Sequence, residues 1–90
     1  MRPSIIKSDG TSADFMPKNG TDFSLEELQE AVGGYIQIVY ISSTQIMVLN
    51  EEGKNNGLPY NRNASLIFAM VGIKDFAVGD VVVCGKEMVK

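Results

Sequence analysis

The alternation of apolar and polar residues predicts several short β-strands in this chain. Residues 35–41 and 45–49 are rich in β-branched and aromatic side chains, as strands usually are. The turn-like residues 42–44 separate them, so we expect an antiparallel hairpin. Residues 80–84 form a further apolar run without alternation. Such a run is typical of a strand that other elements cover on both faces.

A first helix is predicted from its start and stop signals. Ser24 and Glu27 have the spacing of a capping box, in which each side chain accepts a hydrogen bond from the other residue's N–H. Phe23 and Leu28 flank this cap as a hydrophobic staple. Two glycines at positions 33 and 34 end the helix, the first of them in a left-handed conformation.

A second helix is predicted over residues 64–70, where apolar side chains recur at helical spacing. Asn61 or Asn63 would be its N-cap residue, since asparagine is a favoured cap. The free N–H groups at that start, next to Arg62, form a candidate anion site.

Together these elements predict one α+β domain over residues 1–90, with a small, mainly antiparallel sheet of about four to five strands packed with two short helices. Residues 1–20 are weakly patterned, and either a hairpin or a loose arm would fit them. The core of the domain is expected over residues 23–84.

Composition excludes several kinds of chemistry. The chain has 90 residues, no histidine and one cysteine. A Ser-His-Asp or Cys-His site is therefore impossible within one chain, and a zinc site would lack its usual ligands. Cys84, at the end of an apolar strand, fits a small buried side chain better than a nucleophile. We expect no enzymatic activity, no metal and no cofactor.

The charge distribution narrows the choice of partners. The net charge is −3, which disfavours binding to a nucleic-acid polymer. The acidic surplus lies in residues 1–32, whereas residues 33–90 carry equal numbers of acidic and basic side chains. No apolar run approaches the ~20 residues of a membrane span, and no leader pattern opens the chain. We therefore expect no membrane association and a cytoplasmic location.

Residues 50–63 stand out as a long polar segment between apolar elements. Connections inside small domains usually have about 4–6 residues, and longer ones are often functional or disordered. Asparagine amides suit the edge of a base, arginine suits a phosphate, and tyrosine offers a stacking face. A purely structural role, as turns and helix caps, is the alternative. The candidate ligand-binding residues are Lys54, Asn55, Asn56, Tyr60, Asn61, Arg62 and Asn63.

Three short motifs occur in a fixed order: Gly-Gly-Tyr-Ile at residues 33–36, Asn-Glu-Glu-Gly-Lys at 50–54 and Gly-Leu-Pro-Tyr-Asn-Arg-Asn-Ala at 57–64. With them, about residues 23–84 resemble a domain-of-unknown-function family of small proteins carried by bacteriophages and mobile elements of bacteria. The family has no settled activity. The resemblance implies a small protein that acts inside a bacterial host cell, where such accessory proteins often counter host defence.

These observations lead to a first hypothesis and two alternatives. The first is a non-enzymatic, phage-type protein that binds and sequesters a small nucleotide-derived immune signal, as a homo-oligomer whose protomers enclose the pocket. The second is an interaction module that inhibits a host defence or regulatory protein through a strand edge or the acidic N-terminal third. The weakest is a hydrolase of such signals, because the adjacent carboxylates of Glu51 and Glu52 would diverge on an extended chain.

Overall fold

The computed structural model describes residues 2–89, which form short strands and helices. The ends of the predicted domain, Met1 and Lys90, lie outside the described residues. The elements are β1 (Ser4–Ile6), β2 (Ser12–Asp14), α1 (Leu25–Val32), β3 (Ile36–Tyr40), β4 (Gln45–Asn50), β5 (Tyr60–Asn61), α2 (Arg62–Met70), β6 (Ala77–Val78), β7 (Val81–Gly85) and a 3-10 helix (Lys86–Met88).

The main sheet has five antiparallel strands in the order β2-β1-β7-β4-β3. Strands β5 and β6 form a separate two-stranded sheet. The predicted hairpin is present as β3 and β4, and the apolar strand near the C-terminus is the central strand β7. The predicted α+β fold with a small antiparallel sheet and two short helices is therefore confirmed.

Alternating side chains of the central strands β4 and β7 pack into two separate cores. The core that includes α1 contains Phe23, Leu28, Val32, Ile46, Val48, Val82 and Cys84. The core that includes α2 contains Ile6, Met47, Leu49, Ala64, Phe68, Ala77, Val81 and Val83. Because successive side chains of a strand point to opposite faces, a strand covered on both sides must be apolar throughout. This arrangement explains the unbroken apolar run of β7.

Local signals account for the ends of α1. The Ser24 hydroxyl accepts from the Glu27 N–H at 3.2 Å, and the Glu27 carboxylate accepts from the Ser24 N–H at 3.1 Å. Gly33 ends the helix with φ of 82°, a left-handed conformation that glycine adopts without strain. Phe23, just before the cap, is fully buried and stacks on Phe15 with 5.3 Å between ring centroids.

Residues 4–14 form the β1–β2 hairpin, so a hairpin rather than a loose arm occupies this part of the chain. Ile6 of β1 lies opposite Val81 of β7, which joins the hairpin to the main sheet. The two-residue strands β5 and β6 escaped sequence reasoning because so short a segment has no periodicity. Between residues 2 and 89 neither helix has the length and hydropathy needed to cross a membrane.

Candidate functional site

The polar segment between β4 and β5 is folded into a series of tight turns. The Asn56 N–H donates to the Glu52 carbonyl at 2.8 Å, and the Leu58 N–H donates to the Gly53 carbonyl at 3.0 Å. Gly53 is buried at the base of the turns, where a Cβ atom would lie 2.9 Å from Val78 Cγ2. Glycine at this position lets the chain lie directly against β6.

Asn50 fastens these turns to the end of α1. Its Nδ2 donates to the Val32 carbonyl at 3.1 Å, and its Oδ1 accepts from the Glu52 N–H at 2.8 Å. The last carbonyls of a helix lack partners within the helix, so this bond satisfies one of them. Gly34 leaves the room that the amide needs, since a Cβ atom there would lie 3.0 Å from Asn50 Nδ2.

Asn61 was predicted both as a helix cap and as a ligand-binding residue, and the structure gives it only structural partners. Its Oδ1 accepts from the Ala64 N–H at 3.0 Å, which makes it the N-cap of α2. Its Nδ2 donates to the carbonyls of Ile6 at 2.9 Å and Gly79 at 2.8 Å. The side chain is fully buried, so a ligand cannot reach it. We therefore remove Asn61 from the candidate site.

A cleft of about 230 Å³ lies between β3, the end of β4 and the turns after it. Lys54 and Asn55, two of the candidate ligand-binding residues, line it. The cleft has an apolar floor and a polar rim. Its floor includes Val39, Leu49, Phe68 and Val78, the exposed Phe76 ring lies at its mouth, and its rim includes Gln37, Glu51, Lys54, Asn55 and Asp75.

Lys54 and Asp75 form an ion pair at the mouth of this cleft. The Lys54 Nζ lies 2.5 Å from Asp75 Oδ1 and 4.3 Å from the centroid of the Phe76 ring. Asp75 Oδ1 also accepts from the Phe76 N–H at 2.7 Å. The hydrogen bond from Lys54, followed by that from Phe76, holds the pKa of the Asp75 carboxyl below its usual value of 3.8. The carboxylate is therefore ionised at neutral pH.

The remaining predicted residues lie outside the cleft lining, either next to Phe76, at the start of α2 or on the turns. The Tyr60 ring lies beside Phe76, with 6.1 Å between their centroids. Arg62 is exposed at the first position of α2, and Asn63 donates to the Gly10 carbonyl of the β1–β2 turn at 3.4 Å. Asn56 is exposed on the turns and does not line the cleft.

Sequence reasoning missed Gln37, Glu51, Asp75 and Phe76 as part of this site. Glu51 was considered only as half of a carboxylate pair. Lys54 and Asp75 are 21 residues apart in the chain, so no local pattern links them. The aromatic residues Tyr60 and Phe76 could have pointed to the site. They are neighbours only because β5 pairs with β6, and the sequence did not predict that pairing.

Other parts of the described chain contain two further clefts and a buried cysteine. Two clefts of about 370 and 290 Å³ lie beside α1 and share Glu30, Ala31 and Asp80. Neither includes a predicted site residue. Cys84 is buried, and burial, with a smaller contribution from Glu87, raises the pKa of its thiol to about 11. No group of three or more cysteine and carboxylate side chains within residues 2–89 could hold a metal ion.

The fold and the cleft define a small α+β domain with a polar-rimmed surface cleft next to an edge strand. The chain belongs to the family described as a domain of unknown function (DUF3846), whose sequence profile matches residues 5–88. The match begins within β1, so the N-terminal hairpin belongs to the family domain, which extends beyond the expected residues 23–84. Neither a curated protein nor a solved structure matches the chain.

Proposed function

We propose that this protein is a non-enzymatic binder of a small nucleotide-derived molecule and that the cleft beside Lys54 receives its base. One observation carries the proposal: the exposed rings of Tyr60 and Phe76 lie next to each other, and Phe76 lines the cleft together with the amides of Gln37 and Asn55. Exposed aromatic rings are favourable surfaces for stacking a base.

The dimensions and polar groups of the cleft suit one part of a nucleotide. Its volume of about 230 Å³ is below the roughly 300–1,000 Å³ of pockets that enclose a drug-sized ligand. A planar base on the apolar floor would leave the sugar and phosphate outside. The side-chain amides of Gln37 and Asn55 each supply donors and an acceptor, as recognition of a base edge requires.

The charges of the rim favour a phosphate position outside the cleft. Glu51 and Asp75 contribute two carboxylates to the rim, whereas Lys54 contributes one ammonium that is already paired. Arg62 has no ion-pair partner in the described chain and stands at a helix start, where N–H groups and the helix dipole favour anions. Its Cα can be at most about 7.6 Å from that of Tyr60. We assign the phosphate to Arg62.

The same groups favour binding over turnover. The pKa of Asp75 is lowered, so this carboxylate is a poor general base near neutral pH. The Cys84 thiol is buried and has a raised pKa, which makes it a poor nucleophile. Sequestration of an immune signal in a bacterial host, as expected for a phage-type accessory protein, is the biological role we propose by analogy.

Calorimetry tests the proposal with cyclic oligonucleotides and ADP-ribose derivatives as probes. Arg62→Ala and Phe76→Ala should each weaken binding of a positive probe about tenfold or more, since a charge-assisted hydrogen bond or a stacked ring contributes roughly 1–3 kcal/mol. Lys86→Ala is the matched control. Lys86 lies at the β3–β4 turn, about 17 Å along β4 from Asn50.

The absence of heat with every probe would contradict the proposal. So would equal weakening by Lys86→Ala, because binding would then reflect overall charge rather than this cleft. Thermal unfolding of each variant separates loss of binding from loss of folding. Incubation of a bound probe followed by chromatography tests turnover, and a degraded probe would replace sequestration with hydrolysis.

A protein-interaction module is the second candidate, and one surface favours it. Leu66, Met70 and Val71, on α2 and directly after it, are exposed, with Met70 84% accessible. Exposed clusters of large apolar side chains often mark protein interfaces. A pull-down from bacterial lysate compares the original chain with Met70→Lys. A stoichiometric partner lost in Met70→Lys, together with no small-molecule binding, would favour this candidate.

A further inference from the structure

The two edges of the main sheet differ in their protection against pairing. Strand β2 has three residues, and its Asp14 forms an ion pair with Arg2, at 3.3 Å between Oδ2 and Nε. Short length and charged side chains are common means of keeping an edge from pairing. Strand β3, at the opposite edge, has five residues, none of them charged, no proline and no bulge against β4.

Hydrogen bonding leaves one set of β3 backbone groups free. The Tyr35 carbonyl accepts from the Glu51 N–H at 2.8 Å, and the Ile41 N–H donates to the Gln45 carbonyl at 3.0 Å. Hydrogen-bonded residues alternate along an antiparallel strand, so the backbone N–H and C=O groups of positions 35, 37, 39 and 41 point toward β4. The N–H and C=O groups of positions 36, 38 and 40 therefore point to the outer side, where the described chain provides no strand.

The neighbourhood of this edge is also uncharged. The chain has no Asp, Glu, Lys or Arg between Glu30 and Glu51, a segment that includes all of β3 and β4. A copy of a protein with net charge −3 is normally repelled by another copy. At this edge two copies can approach without placing like charges together. The edge is apolar as well, since Ile38 and Tyr40 are 41% and 61% exposed.

We infer that β3 is a self-association edge, at which a second copy of this chain pairs antiparallel about a two-fold axis through Ile38. In this register Ile38 lies opposite Ile38 of the second copy, and Ile36 lies opposite Tyr40. About six backbone hydrogen bonds then satisfy all the free groups of both edges. A two-fold axis closes the assembly at a dimer, because each copy uses the same patch.

The pairing has a consequence for the cleft. Gln37 and Val39, which line it, point to the α2 face of the sheet, together with Leu49. In the proposed register Gln37 lies opposite Val39 of the second copy. The two clefts therefore adjoin on one face of a continuous sheet and form a groove with two-fold symmetry. The inference does not depend on the proposed nucleotide ligand, although it would give such a ligand a larger site.

Sedimentation velocity of the purified chain, from the low micromolar range upward, tests the dimer. The original chain should sediment as a dimer at the higher concentrations. Ile38→Lys should shift it to a monomer because two ammonium groups would meet at the axis, and Ile38→Glu should do the same. An equimolar mixture of the two variants should recover the dimer. Ala13→Lys, on edge strand β2, is the matched control and should remain dimeric.

Amide hydrogen exchange measured by NMR separates dissociation from unfolding. In Ile38→Lys the amides of positions 37, 39 and 41 should stay protected by β4, while those of 36 and 40 should exchange at least tenfold faster than in the original chain. Loss of protection at all of positions 36, 37, 39, 40 and 41 would mean that Ile38→Lys unfolds. The equimolar mixture of Ile38→Lys and Ile38→Glu would then decide whether β3 is the dimer interface.

Four results would overturn the inference. The first is a monomer at every concentration with rapid exchange at positions 36, 38 and 40. The second is a dimer that Ile38→Lys leaves intact. The third is a dimer that Ala13→Lys dissociates, which would place the interface at β2. A mixture of the charged variants that remains monomeric would also count against the two-fold register.

Discussion

The five asparagines between residues 50 and 63 occupy two opposite environments. Asn50 and Asn61 are buried, and their side chains bind backbone groups of other elements. Asn55, Asn56 and Asn63 are exposed. The same side chain therefore serves the fold at two positions and is left available at three. Within the second group, Asn55 lines the cleft and Asn63 lies at the start of α2, so these two remain candidates for ligand binding, whereas Asn56 occupies neither place. Substitutions of buried and exposed asparagines should have different effects on stability.

The largest effect is expected from Asn61→Ala. This change removes the cap of α2 and the two hydrogen bonds that Asn61 donates to the buried carbonyls of Ile6 and Gly79. Loss of a cap costs about 1 kcal/mol and an unsatisfied buried group about 1–3 kcal/mol, so we expect a loss of roughly 3–4 kcal/mol. Urea unfolding measures it.

Asn61→Asp tests the buried bonds to Ile6 and Gly79 while it keeps an oxygen for the cap. Aspartate keeps an oxygen that can cap α2 but places a buried carboxylate against two carbonyls, so the loss should be at least as large as in Asn61→Ala. Asn63→Ala, two residues along the chain, is the control and should change the free energy of unfolding by less than about 0.5 kcal/mol. Equal losses of unfolding free energy in the variants at positions 61 and 63 would contradict the distinction between buried and exposed asparagines.

Asn50→Ala should have the second largest effect. The change breaks the bond to the Val32 carbonyl at the end of α1 and the bond from the Glu52 N–H. We expect a loss of about 2 kcal/mol. Because these bonds hold the turns that carry Lys54, binding of a positive probe should weaken as well. Asn56→Ala, on the same turns but exposed, is the comparison, and a similar loss of stability there would contradict the assignment.

Sequence reasoning predicted those features whose partners are close along the chain. The capping box of α1 joins residues three positions apart, and the N-cap of α2 joins Asn61 to Ala64 over the same separation. The bond from Asn61 to Ile6 joins residues 55 positions apart. The Ile6 carbonyl reaches Asn61 only because of the position of β1 in the sheet. Residue patterns along the chain therefore could not reveal that Asn61 is buried.

The candidate site divides in the same way. Lys54 and Asn55 were predicted because they lie in an unusually polar segment. Phe76 and Asp75 reach them only through the pairing of β6 with β5, which involves two residues on each strand. Strands of that length carry no alternation that could be detected. The sequence therefore predicted the residues that the turns contribute to the site but not those next to β6.

A smaller effect is expected at the Lys54–Asp75 pair. The folded pKa of Asp75 is below its ordinary value of 3.8, so the pair stabilises the protein above that value and loses its effect as the pH falls through the folded pKa. Both side chains are about half exposed, which limits the contribution to less than about 1 kcal/mol.

Urea unfolding of the original chain and of Asp75→Asn, at pH 7 and at pH 3, measures this effect. The difference in free energy should narrow at pH 3 and should also narrow in high salt, which screens exposed charges. Asp14→Asn is a control, since Asp14 pairs with Arg2 on the far edge of the sheet. A difference for Asp75→Asn that widens in acid would contradict the assigned sign.

The smallest change in stability is expected from Asn55→Ala, and this variant tests the exposed group of asparagines most directly. Asn55 donates to Glu52 at 3.2 Å on the surface, so its removal should alter the free energy of unfolding by less than about 0.5 kcal/mol. If the amide binds a base edge, loss of one hydrogen bond should weaken a positive probe roughly three- to tenfold. Calorimetry beside thermal unfolding records both quantities. Asn56→Ala, which does not line the cleft, should leave both unchanged, and binding that is equally weakened in the two variants would place the ligand elsewhere on the turns.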